Sequence, residues 1–379
     1  MFGFFNCYLK ILKLFLYIIY FKTMQRIAAK DYSILFGSTG YETLNSFLNS
    51  NNYSTIFIIV DSTVNDSCLP FFLAQLATEI PIEIIEFESG EENKNITTCI
   101  EIWNALTDLG ADRKSIILSV GGGVVTDLGG FIAATFKRGI DHIVIPTTLL
   151  AMVDASIGGK TGIDLGPLKN QIGVIQTPKM VVIDTYYLDT LPTNEMRSGL
   201  AEMLKHGLIA DRAYWNLFLD LSKLDSFELE NLIYTSIEIK NNIVLQDPNE
   251  IGLRKALNFG HTLGHAIESY FLENENQKTL LHGEAVAIGL YLESYISFQK
   301  ELLSEKDFLQ ISNVIKNMFD PVDFENIDLQ KILDLLIHDK KNEHGKIQFV
   351  LLDGIGNVKI NQTVSNELII ASFQEYKYC

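Results

Sequence analysis

Ser115-Ile-Ile-Leu-Ser-Val120-Gly121-Gly-Gly123-Val-Val125-Thr126-Asp127-Leu-Gly-Gly130 is an apolar run that passes directly into three glycines and then into residues of helical spacing. A short apolar run with no polar alternation predicts a strand buried on both faces, as strands of a parallel sheet are. A glycine turn from such a strand into a helix lets backbone N–H groups approach a pyrophosphate, with the helix N-terminus favouring the negative charge. The usual G-x-G-x-x-G is not met, because position 126 is Thr. On its own the turn reads either as a dinucleotide site or as a tight strand-to-helix connection.

The pattern repeats on both sides. Ile56-Phe-Ile-Ile-Val60 reads as a strand and ends in Asp61, where a carboxylate can hold ribose hydroxyls or simply cap a helix. Cys68 to Thr78 and Asn95 to Leu109 have helical spacing. Ile82 to Phe87, His142 to Thr148 and Met180 to Asp184 read as further strands. Alternation of this kind predicts a parallel sheet with helices on its faces, an α/β Rossmann-like domain over residues 24–190. After Pro192 helical periodicity dominates from Asn194 to about His338, so residues 191–379 read as a second, mostly α-helical domain. Its tail, Lys346 to Leu352 and Val358 to Ile360, reads as a short strand pair.

The second domain carries Asn258-Phe-Gly-His261-Thr-Leu-Gly-His265-Ala266. Histidines four apart leave one face of a helix. His282 follows in Leu281-His-Gly-Glu284, and Gly199-Leu-Ala-Glu202-Met-Leu-Lys205-His206 adds a carboxylate and an amine one turn apart. Two imidazoles and a carboxylate form a common ligand set for catalytic zinc, with a fourth position open. The H-E-x-x-H arrangement of a metalloprotease is not met, since Thr262 and Gly264 stand between the histidines. The plainer alternative is a helix face meeting a polar neighbour.

Composition bounds the partners. A chain of 379 residues, 47% hydrophobic and 20% charged, is a folded globular protein of one or two domains. Its net charge is −17, and Lys10, Lys13 and Lys22 are the only charges in residues 1–23, which leaves −20 for the remainder. Such a surface repels nucleic acid and anionic lipid, so neither is expected as a partner. Cys7, Cys68, Cys99 and Cys379 are scattered without a Cys-x-x-Cys, which argues for a reducing, cytoplasmic setting. Residues 1–23 form an apolar extension interrupted by lysines, short of the ~20 apolar residues a span needs. They are read as outside the fold, with Met24 as the working start and a peripheral membrane contact as the alternative.

Asp154-Ala-Ser-Ile-Gly-Gly-Lys160-Thr and Lys169-Asn170 form a second glycine- and lysine-rich region. Single lysines are usually solvated. Cations near Asn170, Asn258 and three histidines, in so acidic a chain, read better as a site for a phosphorylated polyol.

From Met24 onward the sequence resembles the 3-dehydroquinate synthase family of the shikimate pathway. The matching segments are Ser89-Gly-Glu-Glu-Asn-Lys94, Gly121 to Asp127, Pro146-Thr-Thr-Leu-Leu150, Asp154 to Thr161, Gly199 to His206, Leu257 to His265, His282-Gly-Glu284 and Asp339-Lys-Lys-Asn342. The resemblance implies an NAD-binding α/β domain, a mostly helical metal domain and a cleft between them. It implies zinc or cobalt on Glu202, His261 and His282. It implies NAD on Asp61, Glu91, Lys94, Gly123, Val124, Val125, Asp127, Thr147, Thr148, Lys169 and Thr190.

The same resemblance places His265, Lys160, Lys205 and Asn258 in catalysis, with Arg138, Asp154, Asn170, Lys240, Arg254 and Lys340 (or its neighbour Lys341) facing a phosphorylated sugar acid. It implies conversion of 3-deoxy-D-arabino-heptulosonate 7-phosphate to 3-dehydroquinate and phosphate, through transient oxidation, elimination, re-reduction and aldol closure, in a homodimer. Departures are Thr126 where many members have Gly, Thr63 where some have Asn, and a longer loop around Glu273 to Thr279. The alternatives are a sister sugar-phosphate cyclase, a metal-dependent polyol dehydrogenase, and a non-catalytic metal- and nucleotide-binding protein.

Overall fold

A computed structural model describes residues 26–166, 168–220, 226–273, 280–336 and 347–377. The extension 1–23, the inserted residues 274–279, and Lys340 with Lys341 lie outside the described residues.

The α/β portion starts with β1 (Arg26–Ala28), β2 (Ser33–Phe36) and α1 (Gly37–Ser50). It continues with β3 (Ile56–Asp61), α2 (Ser62–Ser67), α3 (Leu69–Gln75), β4 (Ile82–Phe87) and α4 (Ile96–Asp108). Then come β5 (Ile116–Gly121), α5 (Gly123–Thr135), β6 (Asp141–Pro146), a hairpin of β7 (Lys160–Leu165) and β8 (Leu168–Ile175), and β9 (Met180–Ile183). The main sheet runs β1-β2-β9-β6-β5-β3-β4, with every pair parallel except β1 and β2.

Alternate residues of β3 serve different layers. Ile56, Ile58 and Val60 join one buried cluster, while Phe57 and Ile59 join the other, under α4 and α5. Burial on both faces is why the strand shows no polar alternation. The first cluster also contains Leu204, Leu263 and Leu290, so the sheet and the helical portion share one core.

From β3 the chain moves outward to β4, then returns to β5 on the other side of β3. That reversal leaves a crevice at the carboxyl ends of β3 and β5, the place where open α/β sheets bind ligands. Asp61 and Gly121 stand at those two ends.

The helical portion comprises α6 (Thr193–Ala210), α7 (Arg212–Asn216), α8 (Ser226–Gln246), α9 (His261–Glu273), α10 (His282–Gln299), α11 (Glu305–Met318) and α12 (Asn326–Leu336). An antiparallel pair, β10 (Phe349–Leu352) with β11 (Val358–Gln362), and α13 (Asn366–Lys377) complete it. Helix α10 is buried on every side and forms the axis of the bundle. It approaches α6 and α9 closely: a Cβ on Gly283 would overlap the Ser198 backbone, and one on Gly289 would overlap the Gly260 carbonyl.

Five strands and the long helices stand where the sequence pattern places them. Cys68 to Thr78 is not one helix, because Cys68 separates α2 from α3, which begins with Pro70 in its first turn. The pattern misses β1, β2 and the β7–β8 hairpin, which are short or leave their aliphatics exposed, and also α1 and α13.

Candidate active site

Glu202, on α6, is wholly buried. Its Oε1 stands 3.3 Å from His261 Nε2 and 3.6 Å from His282 Nε2. Oε2 is taken by the ammonium of Lys205, which leaves Oε1 with the two imidazole edges before it. Burying an ionised carboxylate is costly unless cations and hydrogen bonds compensate it. A buried carboxylate oxygen, Oε1, facing two imidazole nitrogens fits a divalent cation.

The outer nitrogens of both rings are committed elsewhere. His261 Nδ1 donates to the Phe259 carbonyl at 3.1 Å, and His282 Nδ1 donates to Glu268 Oε2 at 3.0 Å. Such bonds fix the tautomer and aim Nε2 into the pocket. Helix α9 is itself anchored: buried Glu293 on α10 accepts the N–H groups of Gly260 at 2.6 Å and Leu263 at 3.1 Å. On α10, the Gly283 N–H donates to Ser198 Oγ at 2.9 Å.

The electrostatics of the two rings diverge. Burial, with Lys205 nearby, pushes His261 down to about 4. Burial also opposes a charge on His282, but Glu268 and Glu202 outweigh it and raise that ring to about 10. Burial would raise Glu202, yet Lys205 and His261 hold it well below the usual carboxylate range. His265 is half-buried, its ring centroid 5.1 Å from that of His261 and 5.8 Å from that of His282. The three histidines offer nitrogens within 4.8 Å of one another, and the contacts of Glu202 single out His261 and His282. Asp154, Glu202 and His206 form a second close triplet. The ammonium of Lys205, 3.7 Å from Asp154 and paired with Glu202, already supplies the cation there.

Above this pocket lies a polar wall. Lys240 Nζ donates to Asp154 Oδ1 at 2.6 Å and to the Asp154 carbonyl at 2.7 Å. Burial opposes ionisation of Asp154, but Lys240 and Lys205 hold its carboxyl well below the usual range. Buried Arg254 donates to the carbonyls of Pro248 at 2.8 Å and Gly158 at 3.3 Å. Glu250 bridges Lys160 and Asn258, accepting from Asn258 Nδ2 at 2.7 Å.

The opposite wall is the crevice of the sheet. Gly122 caps α5, and Thr147 and Thr148 follow β6 beside it. A Cβ on Gly122 would meet Thr148 Cγ2 at 3.0 Å, so a larger residue there needs that side chain to give way slightly. Asp61 both caps α2, accepting from Val64 N at 2.8 Å, and faces the cleft. Lys94 joins Asp127 at 2.6 Å and Asn170 at 2.7 Å, while Lys169 pairs with Glu91. Val124 and Thr190 line the same cleft, which encloses about 1330 Å³. That exceeds the roughly 300–1000 Å³ of a single small-molecule site and leaves room for two ligands side by side.

Glu202 and His261 lie buried just behind the lining of the cleft, and two further expected residues are not brought there. The Val125 side chain is fully buried in the core against Gly121, so only its backbone is available. Arg138 is exposed beyond the C-terminal end of α5, the end away from the glycine turn, and does not line this chain's cleft. Lys205 lies beneath the floor, almost fully buried. Three acidic residues were not anticipated: Glu250, Glu268 and Glu293. Glu268 had a legible signal, since it follows His265 by three positions on the same helix face.

Family models described as 3-dehydroquinate synthase N-terminal and 3-dehydroquinate synthase C-terminal match residues 84–198 and 199–342. A 3-dehydroquinate synthase of Parabacteroides distasonis is 42% identical over 340 residues, covering 88% of this chain and 94% of that protein. Among solved structures, 2-epi-5-epi-valiolone synthase from Streptomyces hygroscopicus, with NAD+ and Zn2+ bound, has a TM-score of 0.81 at 25% identity, covering 93% of this chain and 98% of its own. A 2-deoxy-scyllo-inosose synthase complexed with carbaglucose-6-phosphate, NAD+ and Co2+ has a TM-score of 0.82 at 27% identity, covering 92% of this chain and 99% of its own. Identity is higher to the dehydroquinate synthase than to either of these cyclases, and most of the cleft falls inside the matched segments, with Asp61 preceding them. The chain belongs to the 3-dehydroquinate synthase family.

Proposed function

We propose that the cleft converts 3-deoxy-D-arabino-heptulosonate 7-phosphate to 3-dehydroquinate and phosphate, a carbon–oxygen lyase step of the shikimate pathway and of aromatic amino acid biosynthesis. The observation that carries this reading is the buried Glu202 carboxylate, whose Oε1 is aimed at the imidazoles of His261 and His282 beside a cleft whose far wall is a glycine-rich helix N-terminus. Residues 24–190 act as the dinucleotide domain and residues 191–379 as the metal domain.

Glu202, His261 and His282 hold zinc or cobalt. Asp61, Glu91, Lys94, Gly123, Val124, Asp127, Thr147, Thr148, Lys169, Thr190 and the backbone of Val125 hold NAD. Solved relatives with NAD+ and either Zn2+ or Co2+ support both assignments. Bound there, the two groups supply reversible hydride transfer and a charge that acidifies the hydroxyl to be oxidised.

The chain's own residues do the rest. Lys160, Lys240, Arg254 and Asn258, with Asp154 and Asn170, bind the phosphate, carboxylate and hydroxyls of the substrate. Local cations are required because the chain as a whole carries −17. Lys205 supports the site from below, compensating Glu202 and Asp154. His265, beside the metal ligands and half-exposed, relays the hydroxyl proton. The departing phosphate takes up the proton lost from the adjacent carbon, so no dedicated base is needed. The cleft excludes bulk water on the helical side, where Glu202 and Lys205 are buried. A cytoplasmic homodimer is the expected setting. Among the described residues no helix is long and apolar enough to cross a membrane.

Phosphate release from the heptulosonate phosphate, with no accumulating NADH, is the expected result of an assay with zinc and NAD+. Steady NADH production from a polyol, without phosphate release, would overturn the reading.

A further inference from the structure

The metal pocket and the β7–β8 hairpin are joined by one carboxylate. Lys169, on β8, has only 7% of its side chain exposed and stands 3.3 Å from Glu268 Oε1, 3.4 Å from Asp164 Oδ2 and against Glu91. The other oxygen of Glu268, Oε2, takes the Nδ1–H of His282 at 3.0 Å. Thus one oxygen faces a cation from the α/β portion and the other holds an imidazole of the helical portion.

We propose that Glu268, clamped by Lys169, is a positioning residue that sets the orientation and basicity of His282 and links the affinity for the metal to the hairpin. The proposal rests on reading Glu202, His261 and His282 as the ligands. A carboxylate behind a ligating histidine stiffens the ring and strengthens its nitrogen as a donor. Here the carboxylate is itself held at its far oxygen, so it cannot rotate away from His282 without giving up Lys169. A purely stabilising ion pair is the weaker explanation, because buried pairs contribute little net stability, and one meant only for stability has no need of the histidine.

Lys169 has three carboxylates within ion-pair distance. Its charge compensates them all, so removing it leaves an excess of negative charge beside Glu268 and loosens the clamp. The link also crosses between the two portions of the molecule. By thermodynamic reciprocity, whatever the cleft binds at Lys169 alters the metal's affinity by the same factor as the metal alters its own.

The test titrates metal-stripped, full-length protein with Co2+, reading both affinity and the visible absorption band. Glu268→Gln keeps an oxygen for the Nδ1–H but loses the ion pair, and should weaken Co2+ binding about 10-fold; Glu268→Ala should approach about 100-fold. Lys169→Gln should act in the same direction by about 3-fold, and Glu268→Gln combined with Lys169→Gln should be no weaker than Glu268→Gln alone. In the single variants the band of the bound form should shift, which a residue needed only for stability would not cause.

Unshifted bands with affinities within about twofold of the parent, or fully additive losses, overturn the proposal. Thermal unfolding of each variant identifies any that fails to fold, and the isosteric Glu268→Gln keeps the test decisive if Glu268→Ala does. His261→Asn separates the two readings. If it binds Co2+ like the parent, the ligand assignment falls. If it loses Co2+ while Glu268→Gln and Lys169→Gln bind normally, only the present inference falls.

Discussion

The helical wall of the cleft carries its chemistry on a few side chains, whereas the α/β wall sets a turn of backbone N–H groups among its side chains. Glu202, His261 and His282 come from α6, α9 and the start of α10, and each is held by a hydrogen bond, an ion pair or a close glycine contact behind it. The crevice instead presents the N-terminus of α5 and the ends of β3 and β6, with Asp61 and the threonines at its rim. A site built of buried side chains concentrates its free energy in a few groups. A site built of N–H groups spreads it over a turn whose side chains can vary. Departure of the glycine turn from G-x-G-x-x-G at Thr126 is tolerable for that reason: Thr126 is buried, and its hydroxyl returns to the Gly123 carbonyl at 3.1 Å.

The contrast can be broken most directly at Glu202. Glu202→Ala should reduce metal affinity by more than about 100-fold, beyond the loss expected for an outer partner, and abolish turnover. Metal content after dialysis, together with phosphate release, checks it. Full metal retention would remove the reason for treating the helical wall as the chemical one.

Gly283→Ala should come next. Its Cβ has no room against the Ser198 backbone, where no flexible side chain can yield. Overpacking of this kind costs about 1–3 kcal/mol, and because Gly283 follows His282 the metal should weaken too. Gly122→Ala, meeting only a Thr148 methyl at 3.0 Å, should leave the unfolding midpoint nearly unchanged and lower NAD affinity. Denaturant unfolding and cofactor titration of the two variants compare the walls directly.

Acid should act on the α/β portion through one buried ring. His142, at the start of β6, is buried on Ser119 Oγ at 2.8 Å, and burial pushes it down to about 3. Its unfolded value is roughly 6.5. Between those limits the unfolded chain binds a proton that the folded one refuses, so this group removes up to about 1.4 kcal/mol of stability for each pH unit lost. His142→Gln should flatten the stability profile below about pH 6.5. An unchanged slope in the His142 variant would contradict the assignment.

The smallest effect is expected at Asp61. Losing its cap on Val64 N should cost about 1 kcal/mol and weaken NAD binding severalfold, measurable by unfolding and fluorescence titration.

Much of this was legible in the chain. The strands at Ile56, Ser115, His142 and Met180 show because both their faces are buried or nearly so, whereas the half-exposed edge strand at Ile82 shows through its run of aliphatics. Short edge elements such as β1 escaped because three residues carry no period. Glu250 escaped because its charged partner, Lys160, stands 90 residues away in the chain and meets it only in the fold. Glu293 escaped because a helix interior gives no hint that its carboxylate caps another helix.

Sequence alone determined the alternation of strand and helix, the glycine turn, the paired histidines and the family, since periodicity and short motifs are local properties. Only the tertiary structure decided that Glu202 reaches the imidazoles of two other helices, that Val125 turns into the core, and that Glu268 joins His282 to Lys169. Those facts depend on the packing of elements distant in the chain, where a residue's role follows from what stands opposite it.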